Sequence, residues 1–168
     1  MKSVYRYRQE RYFDKPPEVI WPFVADSARI NEMVGFPPYE VEERADADGR
    51  IRRLAVIKFG PLRIKWEESF GEWQENRRVV QTRKFLNGPM RHFQACAEIF
   101  PDGAGTRLVF TSDIECVGVL GLLARLSGQI GREGDKRVAA IEKMIAETDV
   151  PDHLPATSAR DMAKPAWC

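Results

Sequence analysis

The chain has 168 residues, 43% of them hydrophobic and 30% charged, with 26 Lys and Arg set against 25 Asp and Glu. That length suits one domain with a core of its own, and the balanced charge argues against a general nucleic-acid binder, which needs a basic surplus. No apolar run approaches the ~20 residues of a membrane span. The start, Met1-Lys2-Ser3-Val4-Tyr5-Arg6, lacks a signal-peptide core, which points to the cytoplasm.

Cys96, Cys116 and Cys168 are odd in number and without C-x-x-C spacing, as suits a reducing compartment. His92 and His153 lie far apart and form no ligand motif with the cysteines, so neither a structural metal nor a cofactor is expected.

Val4 to Phe13 is rich in Tyr, Phe and Val and reads as a first strand. Asp14-Lys15-Pro16-Pro17 breaks it, and Pro17 suits the first turn of a helix with Ile20, Trp21, Phe23 and Val24 on its apolar side. Asp26-Ser27 reads as a new N-cap for a short helix through Ile30 and Met33 that stops at Gly35.

From Tyr39 the hydrophobic period changes to two. Asp46-Ala47-Asp48-Gly49 is a hairpin turn, Ile51 to Phe59 the return strand, and Gly60-Pro61 the next turn. Leu62, Ile64, Trp66, Glu68 and Phe70 share one face of the strand that follows. Gln74 to Arg77, Asn87-Gly88-Pro89 and Asp102 to Gly105 are further turns, and the last strand runs from Thr106 to about Val117. Short turns between six strands imply an antiparallel meander, since parallel strands need long crossovers.

Gly118 to about Glu147 reads as one long helix, with Leu123, Leu126, Ile130, Val138, Ile141 and Ile145 at helical steps. Gly121, Gly128, Gly131 and Gly134 are unusual inside a helix. Close packing or a kink explains them, as does room left for a ligand. Residues 149–168 have no period and read as a linker or disordered tail behind a domain of residues 1–148.

This order of elements resembles the START-like (SRPBCC) helix-grip superfamily, which includes polyketide cyclases and aromatases. The segment Asp14 to Asp26 is similar to its first-helix signature, and Gly103-Ala104-Gly105-Thr106-Arg107-Leu108 to the hairpin before its last strand. Within it, Arg29 to Pro38 most resembles the START-like domain ahead of bacterial class III adenylate/guanylate cyclases. The resemblance implies an α+β fold: a curved seven-stranded antiparallel sheet, two short helices after strand 1, and a long C-terminal helix over an apolar cavity. It also allows a C-terminal cyclase domain in a longer protein. Fold alone does not select an activity.

Turn arithmetic supplies a map of the inner face. If Glu75-Asn76 is a two-residue turn, Trp66 faces Phe85, Glu68 faces Arg83 and Phe70 faces Gln81. The other turns add Ile57, Phe59, Ile64, Val79, Phe93, Ala95, Ala97, Leu108, Phe110 and Ile114. The expected ligand-binding set is Ile57, Phe59, Ile64, Trp66, Glu68, Phe70, Gln81, Arg83, Phe85, Phe93, Phe110 and Ile130.

Glu68 and Arg83 interrupt an apolar stripe. They form either a buried pair or a solvated one at the cavity mouth. Cys96 is placed opposite a residue near Thr111, too far from Cys116 for a disulfide. His92 falls on the outer face with Met90 and Gln94, and Ser112 faces inward without a histidine to activate it. Adjacent Glu67 and Glu68 point to opposite faces. Glu68 is left as a weak catalytic candidate, and no phosphate-cradling loop is present.

The expected function is therefore non-catalytic binding of a hydrophobic or aromatic small molecule or lipid, with a sensory or regulatory module of a cyclase-type signalling protein as one setting for it. Alternatives are a small polyketide cyclase/aromatase-like enzyme, or a docking domain with a filled core. Neither nucleic acid nor stable membrane insertion is expected.

Overall fold

A computed structural model describes residues 3–45, 47, 51–119, 123, 126 and 128–147. The chain begins with β1 (Ser3–Phe13), α1 (Pro17–Ala25) and α2 (Ser27–Met33). Six strands follow: β2 (Glu40–Ala45), β3 (Ile51–Phe59), β4 (Leu62–Gln74), β5 (Arg78–Phe85), β6 (Met90–Asp102) and β7 (Gly105–Cys116). Among the described residues the last element is α3 (Gln129–Glu147). The seven strands make one antiparallel sheet in the order β1-β7-β6-β5-β4-β3-β2. This is the α+β helix-grip architecture that the element order implied.

Local chemistry accounts for the helix starts. Pro16 is extended at the N-cap of α1 without a side-chain cap, and Pro17 loses nothing at the first helical position, where the N–H would be unpaired anyway. Ile20, Trp21 and Val24 bury the inner face of α1, with Trp21 edge-on to Trp73 at 5.2 Å. The Asp26 carboxylate caps α2 by accepting from the Arg29 N–H at 3.0 Å, and Gly35 ends the segment in the left-handed region. The buried Thr106 hydroxyl donates to the Lys15 carbonyl at 2.7 Å, tying the start of α1 to β7.

The register of β4 and β5 agrees with the turn arithmetic: Trp66 opposes Phe85, Glu68 opposes Arg83 and Phe70 opposes Gln81. The route differs. Gln74 pairs with Arg78, so the loop has three residues, with Asn76 at φ 58°. The register then shifts between Phe70 and Glu72, at Gly71. The bulge cancels the extra loop residue, and the inner face is preserved.

A second shift lies between Met90 and His92. His92 opposes Glu115, as an outward residue should, but Met90 opposes Cys116 and is out of phase with it. Met90 therefore does not share the His92 face. Cys96 opposes Thr111, and both Cys96 and Cys116 are free thiols.

The C-terminal helix is shorter than its hydrophobic period suggested. Gly128 sits at φ 67° and divides α3 from the helical residues before it. Leu123 and Leu126, expected on the buried stripe, are 55% and 71% exposed. The left-handed residue breaks the continuity on which that stripe depended. Within α3, a Cβ on Gly134 would stand 2.5 Å from the Tyr7 ring, and one on Gly131 3.1 Å from the Tyr5 hydroxyl. Close packing on β1 explains both glycines. Gly121, the Asp46–Gly49 turn apart from Ala47, and the expected linker 149–168 lie outside the described residues.

Candidate functional site

Two apolar clusters share the concave face of the sheet. The larger joins Ile99, Leu108 and Phe110 to Ile20, Trp21 and Val24 of α1 and to Val138, Ile141, Met144 and Ile145 of α3. The smaller contains Ala55, Ile57, Ile64 and Trp66, with Phe36, Tyr39 and Phe85 packed on it.

Between them lies the charged pair. Glu68 and Arg83 have only 3% and 4% of their side chains exposed, so the solvated alternative does not hold. Arg83 Nε donates to Glu68 Oε1 at 3.1 Å, and Gln81 Nε2 donates to the same oxygen at 2.6 Å. The Arg83 guanidinium carbon lies 5.3–5.7 Å from the ring centroids of Phe36, Tyr39, Trp66 and Phe93. Ring faces attract the cation and keep water out. Arg83 Nη2 is enclosed and has no hydrogen-bond partner.

A cleft opens beside this cluster, between the sheet and the helices. It is lined by Val79, Gln81, Ala95, Ala97 and Phe110 of the sheet, by Val24, Ala25, Ser27 and Ile30 of α1 and α2, and by Arg137 and Ile141 of α3. Its volume is about 50 Å³, small beside the ~300–1,000 Å³ of pockets for drug-sized ligands. Arg137 Nη1 donates to the Asn31 side-chain oxygen at 3.0 Å. Burial, then the nearby Arg83, push the Arg137 guanidinium down to about 10, so it stays cationic at neutral pH. Burial, then the Glu68 charge, push the Tyr39 phenol above its ordinary value.

The residues expected to bind ligand separate into groups. Gln81 and Phe110 line the cleft. Glu68 and Arg83 lie behind Gln81, and Phe93 lies over Arg83. Ile57, Ile64, Trp66 and Phe85 belong to the smaller cluster and do not line the cleft. The side chains of Phe59, Phe70 and Ile130 lie outside the described residues.

Arg137 was missed. Its sign was present in the sequence, since it stands four residues before Ile141 and seven before Met144, on the face that packs inward. The contributions of Val24 and Ile30 depend on how α1 and α2 cross the sheet, which periodicity does not give. Among the described residues no group of three or more His, Cys, Asp and Glu could hold a metal. No described helix is long and apolar enough to cross a membrane.

No protein-family model and no curated protein sequence matches the chain. Solved structures do. The Thermus thermophilus protein TTHA0849 is 23% identical over 86% of this chain and 100% of its own, with a TM-score of 0.59. The Zhui aromatase/cyclase of a Streptomyces species is 18% identical over 86% of this chain and 94% of its own, at 0.59. Norcoclaurine synthase from Thalictrum flavum is 12% identical over 88% and 89%, at 0.55. At these identities the likeness shows the START-like helix-grip fold.

Proposed function

We propose that the protein is a binding module that holds a small hydrophobic or aromatic molecule between the sheet and α3. The observation that carries this reading is the cleft itself: a mostly apolar lining with three polar side chains, Ser27, Gln81 and Arg137. Apolar burial supplies affinity in such a site, and the polar groups fix orientation. At about 50 Å³ the cleft suits a compact molecule. A lipid chain requires α3 to move away from the sheet.

The lining offers Ser27, Gln81 and Arg137 as its polar side chains and no carboxylate or histidine. Glu68 is held behind Gln81 by two donors. That arrangement favours binding over a cyclase-like reaction using Glu68 as acid or base. A cytoplasmic location belongs to this reading. So does a sensory role beside a nucleotide-cyclase domain, which rests on the resemblance of Arg29 to Pro38 and is tested by the reading frame after Cys168.

Indole and toluene, titrated by two-dimensional NMR, test the proposal. Saturable shifts centred on Val79, Ala95, Phe110 and Ile141, lost in Ala95→Leu, are expected. Absent or scattered shifts would overturn it. They would favour the second reading, a docking domain with a filled core, which the small cleft volume and the closed Phe36–Tyr39–Trp66–Phe85 cluster support.

A further inference from the structure

We propose that the cleft is selective for an anion, and that its ligand is a small aromatic or aliphatic acid whose carboxylate is received by Arg137. The inference rests on the binding reading above and adds the chemical class of the ligand.

Charge bookkeeping around the cleft carries the argument. Two cations, Arg83 and Arg137, are set against one buried carboxylate, Glu68, and Glu68 is taken by Arg83 and Gln81. Arg137 has a neutral partner, the Asn31 side-chain oxygen, and no carboxylate at ion-pair distance among the described residues. Glu133, the carboxylate of its own helix whose charge bears on Arg137, is paired with Lys136 at 2.8 Å. Arg137 therefore brings a positive charge into the wall of an apolar cleft, with Glu133 acting on it only beyond ion-pair distance. A guanidinium presents five donors, and one of them on Asn31 leaves the rest available to a carboxylate.

Arg83 makes the surplus larger. It lies behind Gln81, its Nη2 is enclosed and without an acceptor, and its charge bears directly on Arg137. The four rings around Arg83 restrict water, so the repulsion between the two cations is poorly screened. An anion in the cleft relieves that repulsion and meets Arg137. Val79, Ala95, Ala97 and Phe110 supply an apolar surface for the remainder of the molecule. A neutral ligand of the same shape gains the apolar contacts alone.

Calorimetric titration of the full chain at pH 7 and low salt compares benzoate and phenylacetate with benzamide and phenylacetamide. The acids are expected to bind at least tenfold more tightly than their amides. Arg137→Gln is expected to bring the acids to the level of the amides, and Arg137→Lys to retain part of the preference, with thermal melts confirming that both variants fold. Equal binding of acids and amides would overturn this inference and leave the binding reading standing. A preference for acids that survives Arg137→Gln would overturn the assignment to Arg137. Failure of acids and amides alike would overturn both readings.

Discussion

The two halves of the concave face solve the same burial problem with different chemistry. Over β1, β7 and β6 the helices α1 and α3 lie on the sheet, and the interface is largely aliphatic. Over β3, β4 and β5 the cover comes from Phe36 and Tyr39 of the α2–β2 connection. Phe36 meets Tyr39 edge-on, Tyr39 lies tilted against Trp66 and Trp66 tilted against Phe85, with neighbouring centroids 5.1–5.9 Å apart. Among the described residues the aliphatic half encloses no ion pair. The aromatic half surrounds an ion pair. Stability by burial is generic and asks only for volume and shape, whereas a buried ion pair seldom improves on a hydrophobic replacement. Burial alone therefore does not account for an ion pair at the border of a cleft.

The largest expected effect breaks that contrast from the charged side. Glu68→Leu leaves Arg83 buried without its partner and should cost about 3–5 kcal/mol in urea unfolding. Glu68→Leu with Arg83→Met should recover most of that loss, and a double variant as unstable as the single one would show that the rings, not the charges, are what the cluster needs. In the aliphatic half, Leu108→Ala should cost about 3 kcal/mol through lost burial and the cavity left behind. No second substitution nearby should rescue it.

Gly134→Ala tests how closely α3 is seated. Its methyl group would meet the Tyr7 ring, and the expected loss is about 2 kcal/mol, read from the thermal midpoint. The smallest effect belongs to the β2 edge, where Arg44 pairs with Glu42 in solvent. Arg44→Ala should stay within about 0.5 kcal/mol of the parent.

Much of this architecture was legible because a period of two, interrupted by turn residues, dictates an antiparallel meander with little ambiguity. Counting placed Glu68 opposite Arg83, and the pairing holds because the bulge at Gly71 offsets a third loop residue that counting did not include. Distances along the chain did not show what covers the pair: Phe36 and Tyr39 arrive from the far side of the sheet only after α1 and α2 have crossed it. Arg137 was hidden for a related reason. A charged residue on an apolar helix stripe reads as a boundary of that stripe until a cleft is found beside it. The break at Gly128 was visible as a glycine but not as a left-handed one, because local sequence did not separate a packing glycine such as Gly134 from a conformational one.

The bulge at Gly71 has a consequence for how this chain can change length. The three-residue loop around Asn76 closes on the Gln74–Arg78 pair, and the extra residue at Gly71 is absorbed within β4. Losing Gly71 would leave Phe70 opposite Gln81 and Trp73 opposite Val79 as successive inward pairs. Losing one loop residue would leave Gln74 opposite Arg78 across a two-residue turn. Either loss keeps Gln81, Arg83 and Phe85 on the inner face, so related chains that keep the charged pair can differ in length at each place independently.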